Sequence, residues 1–293
     1  MQLRMKPLHQ TDLQIGDVLI FENQDFSYVK FLDELKKDYF EEDPKKRMHA
    51  AFYLLLYMIP WFDPGKEGKE YRNIYHAAIW GNVDVNRGQH KQANNLDRIV
   101  QAGRAGIVQA ELEATLKEES VKNIYVYRRR ELPVDFQQKI NAATRAFYDD
   151  VSIPYSYETA WLLAVICSMR YTDGALYKML EKHLGVWGAH KMVDMIQSLI
   201  NEYSSEHQKE MVACSTLVAM IYKNAGYELE VKELEADPKI EVHPDLKLSE
   251  DFFHPSFTTK KPIQPLEVKE TVITPRQLAE SPDVELIGYF HHV

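Results

Sequence analysis

The dominant hydrophobic period of this chain changes near residue 130, and that change limits the folds open to it. Between residues 16 and 130 short β-branched and aromatic runs recur between turn signals, whereas from Pro133 to Gly226 apolar residues return at helical spacing. The early runs are a strand entered through Gly16-Asp17 and covering Val18 to Phe21, then Asn73 to Trp80, Arg98 to Ala102, Ile107 to Ala110, and Val121 to Arg129. A polar loop is expected from Gly81 to about Asn95, and Gly103-Arg104-Ala105-Gly106 reads as a turn. Helical spacing at 28–38 and 46–59 interrupts the strands, the second stretch closed by Pro60 and Asp63-Pro64-Gly65.

Later helices are predicted at 134–149, 157–170, 174–184, 188–203 and 209–225, the last ending at Gly226 as its C′ residue. Residues 227–272 are acidic and dotted with proline. Thr274-Pro275-Arg276-Gln277 has the form of a capping box with proline at the first helical position, and Val284 to Phe290 reads as a final strand. The expected class is α+β: a strand-rich meander with a helical insertion at about 25–70, followed by a largely helical region that includes 157–205. A length of 293 residues allows two domains or one, and the pattern favours a single elaborated domain over 1–293.

Charge and cysteine content narrow the function. With 35 Lys+Arg against 44 Asp+Glu the net charge is −9, which gives no basic footprint for nucleic acid or anionic lipid. Two cysteines, Cys167 and Cys214, cannot build a disulfide framework and fit a reducing compartment. The stretch MQLRMKPLHQTDLQIGD has no apolar signal-peptide core, so the expected location is the cytoplasm, or outside the cell by a specialised route other than Sec. The longest apolar runs, Ala50 to Met58 and Ala160 to Met169, fall short of the roughly 18 residues of a spanning helix, so no integral membrane segment is expected.

The chain has no GxSxG elbow, no GxxxxGK[ST] loop, no HExxH and no GxGxxG after a strand. No cofactor and no metal are expected. Cys214 stands in the first turn of a predicted helix whose Leu217, Val218, Ile221 and Ala225 form one apolar stripe. A thiol there sees unpaired N–H groups and the positive end of the helix dipole, both of which favour thiolate. Cysteine is also among the most buried residue types, and by spacing alone an inert core thiol is the commoner outcome. Cys167, mid-helix among leucine and valine, reads as core.

Strand alternation puts His76 in an apolar row with Ile74, Ala78 and Trp80. The ring could take a thiol proton, or it could be a hydrogen-bonded, half-buried histidine. His90 is expected to be solvated, His291 and His292 to belong to a loose terminus, and Arg128-Arg129-Arg130 to be a solvated strand exit.

Taken in order, Gly16-Asp17, Tyr75-His76-Ala77-Ala78-Ile79-Trp80, Val126-Tyr127-Arg128, Ile153-Pro154-Tyr155-Ser156-Tyr157, Ala213-Cys214-Ser215-Thr216-Leu217-Val218 and Ile273-Thr274-Pro275-Arg276-Gln277-Leu278-Ala279 resemble the circularly permuted, papain-like branch of the NlpC superfamily. The nearest group is the YiiX/YaeF-like amidases, with the lecithin retinol acyltransferase type more distant. In that branch the histidine strand precedes the cysteine helix, as His76 precedes Cys214 here.

The resemblance implies a small antiparallel, barrel-like sheet entered at Gly16-Asp17, with the cysteine helix packed against it and enlarged by the helical insertions at about 25–70 and 157–205. It implies Cys214 as nucleophile, His76 as general base and acid, and a third polar position on Gln101. It places Tyr155 beside the substrate, although Ser152 stands where the family usually has glycine. It implies a cysteine amidase or peptidase cleaving a peptide, a peptidoglycan-stem amide or an N-acyl lipid. Acyl transfer is the alternative within enzymes. A non-catalytic module that uses the helical insertions as a protein-binding surface is the alternative outside them. The resemblance covers half to two-thirds of the chain and leaves both insertions outside it.

Overall fold

A computed structural model describes residues 6–42, 53, 57–61, 63, 65–67, 70–103, 106–150, 181, 185–186, 214–232 and 273–293. Apart from residue 181, which is helical as expected, the predicted helices between 151 and 208, the residues around Cys167, Tyr155, and most of 227–272 lie outside the described residues.

The architecture is α+β around one six-stranded sheet. Its strands are β1 (Val18–Asn23), β4 (Ile74–Asp84), β5 (Asn95–Gly103), β6 (Gly106–Ala110), β7 (Val121–Arg129) and β8 (Val284–His291), in the order β6-β5-β4-β1-β7-β8. Every neighbouring pair is antiparallel. The sheet is not closed, so the expected barrel-like form gives way to an open sheet with β6 and β8 at its edges. A separate hairpin of β2 (Gly65–Glu67) and β3 (Glu70–Arg72) was not foreseen.

Central β1 is buried along its whole length, because both faces of the sheet are covered. On one face Val18, Ile20, Ala77, Ile79 and Val100 pack against Phe136 and Ile140 of one helix and Leu217, Val218 and Ile221 of another. On the other, Leu19, Phe21, Ala78, Trp80, Ile99 and Val126 pack with Leu112 and Leu116. Each valine, leucine and isoleucine among them contributes roughly 1.5–3 kcal/mol when fully buried.

The helices are α1 (Tyr28–Phe40), α2 (Leu112–Thr115), α3 (Phe136–Asp149), α4 (Cys214–Asn224) and α5 (Pro275–Ala279). Ser27 caps α1 by accepting from the Lys30 N–H. Residues 57–61 are helical, so the helix passes Pro60 and reaches Trp61 instead of stopping at 59. α4 ends in a Schellman motif: the Tyr227 N–H bonds the Tyr222 carbonyl and the Gly226 N–H the Lys223 carbonyl, with Gly226 at φ 81°.

In the turn into β1, Gly16 takes φ 95°, and a Cβ there would sit 2.8 Å from Phe136 Cε1. Its carbonyl accepts from the Tyr222 hydroxyl at 2.6 Å, which ties α4 to the turn into β1. Asp17, nearly buried, holds Arg128 through two bonds of 2.8 and 2.7 Å, and Arg128 also donates to the Asp12 carbonyl.

Arg128 and Arg129 are therefore half-buried rather than solvated, while Arg130 is exposed as expected of a strand exit. Arg129 reaches the Tyr227 carbonyl, and Arg130 bonds Glu285 and the Pro282 carbonyl. His291 is likewise in β8, bonded to Asn123 at 2.7 Å.

β4 runs four residues past Trp80, taking the first part of the expected polar loop into the ladder with β5. Near its start the pairing shifts, with Phe21 opposite His76 but Glu22 opposite Ile74. This bulge corrects the simple alternation: Ile74 joins Ala77 and Ile79 on the helix face, while Tyr75, Ala78 and Trp80 belong to the other.

Candidate active site

The ladder between β4 and β5 runs from Asp84–Asn95 to Ile79–Val100 and stops there. Beyond it, β5 continues with β6 through Gln101 and Gly103, and β4 continues with β1 through His76. Where the two strands part, α4, which packs on both, presents its first residue, Cys214. The thiol is 7% exposed and is the only described cysteine.

His76 Nε2 lies 2.7 Å from Gln101 Oε1. Because a glutamine carbonyl oxygen only accepts, the proton belongs on Nε2, which leaves Nδ1 as the ring's acceptor. The ring is half-buried and wedged between aromatic neighbours: Phe21, its cross-strand partner, meets it edge-on at 5.0 Å, and Tyr75 stacks at 6.0 Å with 29° between planes. The imidazole thus has few rotamers open to it.

Cys214 and His76 are close enough to act on each other and shift each other in opposite directions. Burial pushes the thiol up, but the charge and hydrogen bond of His76, with the Ala77 and Ser215 N–H groups directed at the sulfur, more than offset it and hold Cys214 below an ordinary thiol. Burial likewise pulls His76 down, and the Cys214 charge and hydrogen bond, the Gln101 bond and the Glu118 charge together raise it above an ordinary imidazole. Both shifts favour a thiolate beside an imidazolium, which is chemically a nucleophile next to a proton donor.

Cys214, His76 and Gln101, far apart in the chain, are thus brought together, and Tyr155 falls outside the described residues. His90 is exposed on the turn after β4. Three contributors were missed. Phe21 touches the ring only because of the β1–β4 register, and Glu118 reaches it only because the turn before β7 lies beside Tyr75; no local pattern reveals either. The Ala77 amide could have been suspected, since strand separation frees backbone donors, but the separation itself is a tertiary event.

Among the described residues no group of three or more His, Cys, Asp or Glu side chains could hold a metal ion, and no helix is long and apolar enough to cross a membrane. No family model matches the chain, and no curated protein matches its sequence.

Proposed function

We propose that the protein is a thiol-dependent hydrolase of amide bonds, built on a circularly permuted papain-like scaffold of the NlpC type. What supports this reading is Cys214 beside a His76 ring held by Gln101 at 2.7 Å, with the thiol lowered and the imidazole raised. The Cys214 thiolate attacks the carbonyl carbon. The tetrahedral oxyanion is met by the Cys214 backbone N–H at the start of α4.

As the C–N bond breaks, the imidazolium of His76 gives its proton to the departing amine. The neutral ring then takes a proton from water, the hydroxide attacks the thioester carbonyl, and the acid leaves with the thiolate restored. Gln101 holds the ring in the Nε2–H tautomer throughout. The substrates in view are a peptide, a peptidoglycan-stem amide or an N-acyl lipid.

The test is capture of the acyl-enzyme. Brief incubation with p-nitrophenyl acetate, followed by peptide mass mapping, should place an acetyl group on Cys214 in the wild type and none at that position in Cys214→Ser. Slow deacylation should make the adduct accumulate in His76→Ala once acylation is driven at high pH. A wild type that forms no adduct on Cys214 and releases no nitrophenol above the Cys214→Ser background contradicts the reading.

A further inference from the structure

α5 is only five residues long, yet three distant parts of the chain are bound at it. Its capping box is complete: the Gln277 N–H donates to Thr274 Oγ1 at 3.2 Å, and the Thr274 N–H to Gln277 Oε1 at 2.7 Å. The other end of the Gln277 amide donates to the Lys232 carbonyl, beyond the end of α4. Arg276 Nε donates to Asp63 Oδ1 at 2.8 Å, joining the helix to the end of the first insertion.

Immediately before the box, the Ile273 carbonyl accepts from the Ser215 hydroxyl. Ser215 and Thr274 are fully buried and Gln277 almost so, so the arrangement is shielded from competing water. Leu278 packs into the same core as Leu217 and Ile221.

Ser215 follows the nucleophile directly, and its own N–H is one of the two amides directed at the sulfur. A serine hydroxyl in the first turn of a helix is free to rotate among several acceptors, and here it is committed to one carbonyl on a segment that is itself fixed at both ends. We infer that Ser215 is a positioning residue for Cys214: its bond to the Ile273 carbonyl, backed by the Thr274–Gln277 box, holds the first turn of α4 so that the Ala77 and Ser215 amides bear on the sulfur. Ser215 touches no substrate in this role. The inference rests on Cys214 being the nucleophile and says what keeps that thiol reactive.

The experiment is the pH profile of iodoacetamide alkylation at Cys214 in the full chain, read by peptide mapping to separate it from Cys167, with the wild type, Ser215→Ala and Gln277→Met. In Ser215→Ala the midpoint should move to higher pH, so that alkylation at pH 6 falls roughly three- to tenfold, the range spanned by the net contribution of one hydrogen bond. At a pH above both midpoints the rates should converge. A purely structural role would lower thermal stability and leave the midpoint where it was; that result in folded Ser215→Ala overturns the inference.

Gln277→Met keeps volume and removes both amide bonds, and it should move the midpoint in the same direction by less. If Ser215→Ala does not fold, an unmoved midpoint in Gln277→Met overturns the inference alone. A wild type with the midpoint of an ordinary thiol overturns the proposed function and this inference together.

Discussion

Gln101 gives His76 an acceptor without an anion: it fixes the ring and its tautomer at 2.7 Å but adds no charge to stabilise the imidazolium. That separates two effects usually combined in a carboxylate partner. Gln101→Ala should lower kcat/KM about ten- to a hundredfold through loss of orientation, measured with any substrate the acyl-enzyme test identifies. Gln101→Glu should keep activity and shift the pH profile.

The sign follows from the charge: an anion beside the ring favours imidazolium, so the basic limb, where the proton donor is lost, should move up by about one pH unit. His76→Ala should cost about a thousandfold. At this scale the sequence was informative about residue types and poor at distances. Cys214, His76 and Gln101 were nameable from strand and helix context together with a family resemblance, but nothing local distinguishes an inert buried thiol from one bonded to an imidazole. Phe21, Glu118 and the Ala77 amide enter only through strand register and separation.

At the scale of elements, the Asp17–Arg128 pair joins the turn into β1 to β7, and Asp17 is almost fully buried. Burial raises the Asp17 carboxyl against the opposing pull of Arg128 and the Gln14 N–H. Arg128→Met leaves that carboxylate without its cation and should destabilise the fold by about 3 kcal/mol at neutral pH in urea denaturation. The missing cation raises the folded-state pKa further. The deficit should therefore be present when Asp17 is ionised and shrink as pH falls toward the unfolded carboxyl value near 4.

Gly226→Ala forces a Cβ into φ 81° and should cost about 1 kcal/mol, read as a fall in thermal midpoint with no change in the pH profile. Boundaries show what was legible here. Val121–Arg129 and the box at Thr274 follow from local chemistry and stand as read. The continuation of β4 through Asp84 and the pairing of Arg128 with Asp17 depend on partners distant in sequence, so a polar stretch read as a loop and Arg128 read as solvated.

Over the whole molecule, the strand order puts the first strand in the middle, between β4 and β7, and gives the last strand an edge. The segregation of strand and helix periods makes an α+β class legible. It says nothing about which strands pair, and closure into a barrel, expected from the resemblance, is not what the sheet does. The consequential feature at this scale is the place where β4 and β5 part, because it lets a helix from the far end of the chain bring a thiol against a strand histidine.

The most direct test of that arrangement is the pH dependence of iodoacetamide alkylation at Cys214, mapped by peptide mass, in the wild type and His76→Ala. The account expects a wild-type midpoint clearly below the value near 8.5 of a free thiol, and a midpoint at or above that value in His76→Ala. A wild-type midpoint at the free-thiol value, unmoved by loss of the histidine, would contradict it.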